Sequence, residues 1–156
     1  MTFLCPRHRR MFAHLSLTEQ NDLWIFWIEH AFTFCENEDP EKVIAATGSA
    51  FDLACLARIH HPESMHVELT LAAILVCRTL QARGNQISAS HVIFRALDSL
   101  QSSELYRHRP SACCSVDECI EVLLSPSRQQ AFFDDYLNWP AFPFDRASSQ
   151  PVVVVH

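Results

Sequence analysis

Glycine is nearly missing from this chain: among 156 residues only Gly48 and Gly84 occur. Phosphate-cradling loops and dinucleotide fingerprints need two or more closely spaced glycines so that backbone amides can approach the ligand. Neither can be written here, which removes the commonest nucleotide-dependent enzyme classes. Positive charge is also short. Twelve Lys and Arg stand against eighteen Asp and Glu, giving a formal charge of −6, whereas a nucleic-acid binder needs a basic footprint. Strand-prone runs are scarce. Val152–Val155 is the one such run; it reads as a frayed end, with strand addition to a partner's sheet as its other reading. No window approaches 18 apolar residues without a charge, so the sequence argues against a membrane span.

What is present is the composition of a packed domain. Hydrophobic residues make up 49% and charged residues 19%, which is globular rather than disordered, and this length fits one domain with a real core. The cysteines number seven, an odd count. Cys35, Cys55 and Cys77 sit in apolar helical patterns, where a free thiol acts as a small hydrophobe. No apolar stretch of signal-peptide type follows Arg7, Arg9 and Arg10. Together these predict a reducing compartment and a cytoplasmic protein.

Local signals divide the chain into helices. Ser16 and Glu19 form a capping box ahead of a segment carrying Leu23, Trp24, Phe26, Trp27, Ile28, Ala31, Phe32 and Phe34 at helical spacing. Asp39-Pro40 starts the next helix, and His60-His61-Pro62 ends it. Ser64 is expected to cap a third helix reaching Arg83, with Gly84-Asn85 as its stop, and Ser88 to open a fourth through Leu100. Residues 101–114 read as a polar loop. Ser115 to Glu118 looks like a second capping box, and Ser125-Pro126 begins a helix ending near Asn138. The expectation is an all-α domain over residues 1–138: antiparallel hairpins 17–59 and 64–100, short capping helices over 116–138, and an irregular tail over 139–156.

Laid over each other with an offset of 46 residues, the hairpins align Trp27 with Ala73, Ala31 with Cys77, Phe34 with Leu80, Val43 with Ala89, Thr47 with Ile93 and Ala50 with Ala96. Gly84 falls at the turn of the second unit and Glu38 at that of the first. This alternation of large and small residues resembles the tetratricopeptide repeat, over about residues 21–100. Small residues at such places let paired helices approach closely. The offset exceeds the 34 residues of that family, and Glu38, Val43 and Thr47 depart from its pattern. The resemblance implies a partner groove lined by the first helix of each hairpin, with Trp24, Ile28, Thr70 and Ile74 as contacts.

Chemistry-bearing clusters are sparse. Cys5 and His8 have ligand-like spacing, but a closed zinc site wants four donors. His60, His61, Glu63 and His66 form the densest metal-capable group; Pro62 interrupts any shared helix face, and the cluster reads as a solvated linker. Cys113 and Cys114 lie near His108, yet thiol activation needs a positive setting, and Asp117, Glu118 and Glu121 follow. Asp134 and Asp135 diverge on a helix and read as a solvated face. The sequence therefore predicts no catalytic site, no cofactor and no metal. It predicts a protein–protein interaction module of bacterial style, an adaptor, chaperone or regulator, with a protein or peptide partner and a second copy of the chain as a candidate. The competing readings are a metal-binding protein using Cys5, His8 and the His60/His61/His66 cluster, and a thiol enzyme at Cys113 or Cys114. A second aromatic group, Phe132, Phe133, Tyr136, Trp139, Phe142 and Phe144, is a further interface candidate.

Overall fold

The computed structural model describes residues 2–102, 115–137 and 139. Seven α-helices make up its regular structure, and no strand occurs among the described residues. They are α1 (Pro6–Ala13), α2 (Leu17–Glu36), α3 (Pro40–His60), α4 (His66–Ala82), α5 (Gln86–Gln101), α6 (Val116–Leu124) and α7 (Pro126–Tyr136). The principal packed pairs run in sequence order, α2 on α3, α3 on α4 and α4 on α5, with α6 laid against α4 and α5 and α7 on α6. The fold is all-α, built from antiparallel hairpins joined by short turns.

Helix α4 is the centre, with 12 of its 17 residues buried. A helix apolar on all sides must be covered on all sides, and α3, α5 and α6 supply that cover. Helix α3 is long and apolar enough to cross a membrane by length and composition alone. Here its residues serve as protein core between α2 and α4, with Val43, Ala50, Phe51, Leu53 and Ala54 buried. The alanines aligned between the hairpins are interior: Ala31, Ala50, Ala73, Ala89 and Ala96 are buried, so the helices pass close where their side chains are small. At one such crossing the Cys77 thiol donates to the Ala89 carbonyl oxygen at 3.3 Å.

The helix ends follow local chemistry. Ser16 Oγ accepts from the Glu19 N–H while Glu19 Oε1 accepts from the Ser16 N–H, completing the capping box. Asp39 caps α3 with Pro40 in its first turn, and Ser115 Oγ caps α6 through the Glu118 N–H. Three ends differ from expectation. Helix α4 begins at His66, and its N-cap is Met65 in a left-handed conformation (φ 57°); Ser64 instead donates its hydroxyl to the His61 carbonyl and closes the turn. The reason is burial, since this geometry places Met65 in the core. Helix α5 begins two residues before Ser88, because the Asn85 side chain captures the Ser88 N–H. Helix α1 is an addition, started by Pro6 and held from outside, for it buries none of its own residues.

Candidate functional site

The four residues expected to line a partner groove are interior. Trp24, Ile28, Thr70 and Ile74 are all buried, and the Thr70 hydroxyl is spent on the His66 carbonyl one turn back. Their side chains build the core. The phase of α2 is the cause: packing on α3 turns the Trp24–Ile28–Ala31 face inward and leaves a different set of rings at the surface.

That set is Phe26, His30 and Phe34. Spaced four apart, they lie one above another along the helix. The Phe26 and His30 rings are 4.1 Å apart between centroids, and His30 and Phe34 are 6.3 Å apart. Phe26 is half exposed (50%), and the ladder borders a groove of about 340 Å³ between α2 and α3. Trp27 and Phe34 form its aromatic wall, Ala45, Ala46 and Ser49 its opposite wall, and Lys42 stands at one end with Nζ 5.6 Å from the Phe34 ring centre. The small residues on α3 are what leave the groove open. His30 Nδ1 lies 2.8 Å from the Phe26 carbonyl. That oxygen can only accept, so Nδ1 carries a hydrogen.

Other rings of α2 are covered. Phe12 stands edge-on to Trp27 at 5.6 Å, and Trp139 stacks on Phe32 at 5.2 Å while meeting Phe133 edge-on at 5.5 Å. Of the second aromatic group, Phe132 and Phe133 are buried and Tyr136 is exposed; Phe142 and Phe144 lie outside the described residues.

A buried polar cluster was not anticipated from the sequence. Asp52 on α3 is 4% exposed. Its Oδ2 accepts from the backbone N–H groups of Phe3 (2.6 Å) and Leu4 (2.9 Å), and its Oδ1 pairs with Arg95 of α5 at 2.7 Å. Arg95 also lies over the Phe51 ring, 4.9 Å from its centre. Nearby, buried Arg58 donates to the carbonyls of Ser64 (2.8 Å) and Ser99 (3.3 Å). The signal was legible in principle: a lone acid in the run Ala50-Phe-Asp-Leu-Ala54 demands a partner once the helix is buried.

Of the metal-capable residues, the structure brings together Cys5 and His8, with Sγ 3.3 Å from Nδ1. His60 at the end of α3 and His61 just after it are exposed, and among the described residues no group of three or more His, Cys, Asp or Glu side chains converges. Cys113, Cys114 and His108 lie outside the described residues. Three further thiols are in unreactive settings: burial pushes Cys35, Cys55 and Cys77 up to about 12, where the nucleophilic thiolate is scarce.

No family model, curated protein or solved structure matches this chain.

Proposed function

We propose that this chain is a cytoplasmic protein–protein interaction module, acting as an adaptor, chaperone or regulator, whose docking surface is the groove between α2 and α3. The observation that carries this reading is the ladder Phe26–His30–Phe34, which lays the exposed Phe26 and His30 rings and the half-buried Phe34 ring along an apolar groove rather than into the core. Exposed aromatic surface of this kind supplies the anchors of binding interfaces. Eight residues of helix span about 12 Å, enough for two turns of an amphipathic partner helix carrying apolar residues one turn apart. Lys42 at the groove's end favours a carboxylate on that partner.

The tetratricopeptide-like reading is part of the same proposal. Its support is the matched pair of helix stops at Glu38 and Gly84, followed by matched caps at Asp39 and Asn85. The docking surface differs from the groove that the resemblance implies, because the corresponding inner faces are packed. Cytoplasmic placement rests on thiols that serve as apolar side chains in α2, α3 and α4.

A displayed library of helical peptides, selected against the protein and counter-selected against Phe26→Glu, tests the proposal. Expected binders carry paired apolar residues one turn apart and lose roughly tenfold or more in affinity on Phe26→Glu and on Phe34→Ala. A second copy of the chain as occupant would show as a dimer in light scattering that Phe26→Glu disperses. A monomer whose selected binders ignore both substitutions would overturn the reading.

A further inference from the structure

We propose that Gly48, Asp52 and Arg95 form a receptor seat for a bent polypeptide segment with an aromatic residue followed by an aliphatic one. In this structure Phe3 and Leu4 of the same chain fill the seat, and a partner segment of like chemistry competes for it. The inference is independent of the α2/α3 groove and concerns a different surface of α3.

Each part of the seat answers a part of the segment. Gly48 lies inside α3, where glycine is less favourable than alanine. The missing side chain is what admits the Phe3 ring, which lies on the bare helix backbone where a Cβ would stand. One turn further on, a single oxygen of Asp52 receives two consecutive backbone N–H groups. These are charge-assisted bonds to the main chain, so they recognise a bent backbone that turns two successive N–H groups to one side, whatever its sequence. The aromatic–aliphatic pair adds the side-chain selectivity, with Leu4 buried and Phe3 partly so.

The seat is built by the bundle and not by its occupant. Arg95 holds the other Asp52 oxygen from α5 and is itself held against Phe51. When the segment leaves, Oδ2 opens to water with the carboxylate still aimed. The segment is fastened lightly. Helix α1 buries none of its residues; its far end is tied by Gln20 Nε2 donating to the Phe12 carbonyl at 3.0 Å and by Phe12 against Trp27. Lifting the Phe3–Leu4 end therefore unseats Leu4 and two hydrogen bonds while the α2–α7 bundle stays packed. Covalent attachment gives the resident segment an effective concentration on the order of millimolar, so a partner segment succeeds by binding more tightly or when the resident one is weakened.

The test uses full-length Phe3→Ala protein, its fold checked by circular dichroism, and a fluorescent peptide of residues 2–13 under reducing conditions. The peptide should bind Phe3→Ala, bind wild type roughly tenfold more weakly because the seat is already filled, and lose binding when Gly48→Ala is added. A peptide carrying Phe3→Ala should also fail. No binding to folded Phe3→Ala, or binding that Gly48→Ala leaves unchanged, overturns the proposal. Hydrogen exchange on wild type decides the matter if Phe3→Ala does not fold. The Phe3 and Leu4 amides should exchange through local opening, well ahead of α4 amides. Exchange in step with α4 would mean that the segment leaves only on global unfolding, and the seat would then be merely structural.

Discussion

Glu38 and Gly84, 46 residues apart, occupy the same position of the same helix stop. Both are left-handed, with φ of 54° and 78°. After α2 the Asp39 N–H reaches back to the Phe34 carbonyl and Glu38 to Cys35; after α4 Asn85 reaches Leu80 and Gly84 reaches Gln81. This is the Schellman arrangement twice over. A side chain is strained in that conformation and glycine is not. Glu38→Gly should therefore stabilise the protein by about 1 kcal/mol, read as a rise of roughly 2–4 °C in the melting temperature. Gly84→Ala should lower it by a similar amount. A fall with Glu38→Gly would show that the turn draws on the glutamate side chain.

Ala96 is fully buried on α5. Ala96→Trp would force an indole into a close helix crossing, and overpacking costs typically about 1–3 kcal/mol or more. Thermal denaturation should show marked loss of stability or no folded protein. A melt like that of wild type would mean that α5 does not meet its neighbours there.

Arg95→Met removes the cation that balances Asp52 while keeping its apolar stem. Leaving a buried carboxylate with only two amide donors should cost about 2–3 kcal/mol, less than a fully buried pair because Arg95 is itself partly exposed. Asp52→Asn with Arg95→Met should recover part of that loss in urea denaturation. Simple additivity of the two would argue against coupling between them.

Alkaline pH should loosen the fold through its thiols. Cys55 and Cys77 rise from an ordinary value of 9.0 to about 12, so the folded state holds protons that the unfolded state gives up. Their stabilising contribution is complete below about pH 9 and is lost as pH rises toward 12, at about 1.4 kcal/mol per pH unit for each thiol. Cys55→Ala and Cys77→Ala should each flatten this decline in denaturation curves taken from pH 8 to 11. An unchanged slope would place the alkaline sensitivity elsewhere. In the native protein at pH 8, exposed Cys5 should react with a maleimide ahead of the other described cysteines, Cys35, Cys55, Cys77 and Cys119.

The starts of α2, α3 and α6 were legible because Ser16, Asp39 and Ser115 act on amides within their own first turn. Met65 carried no such signal; its left-handed cap exists to bury its side chain, which is a tertiary matter. Helix α1 escaped notice for a related reason, since its sequence is mostly charged and it is held by Phe12 against Trp27 and by the Phe3–Leu4 segment that precedes it. At the site, the aromatic wealth of α2 was plain, yet its phase was not. Period alone shows that Trp24 and Phe26 are both on the helix; only the arrival of α3 decides that Trp24 goes in and Phe26 stays out. Asp52 needed Arg95, 43 residues away, and nothing local links the two.

The buried hydroxyls of Thr47, Thr70 and Thr79 each close on the carbonyl one turn back in their own helix, at 2.7 to 2.8 Å. A hydroxyl satisfied in this way asks nothing of the helix beside it. Polar ties between helices include Asp52–Arg95, Arg58–Ser99 and Arg78–Gln129. Replacing one of these threonines by Val therefore leaves no polar group on a neighbouring helix without its partner. A change there is felt within one helix, whereas the loss of a cross-helix tie is felt on two.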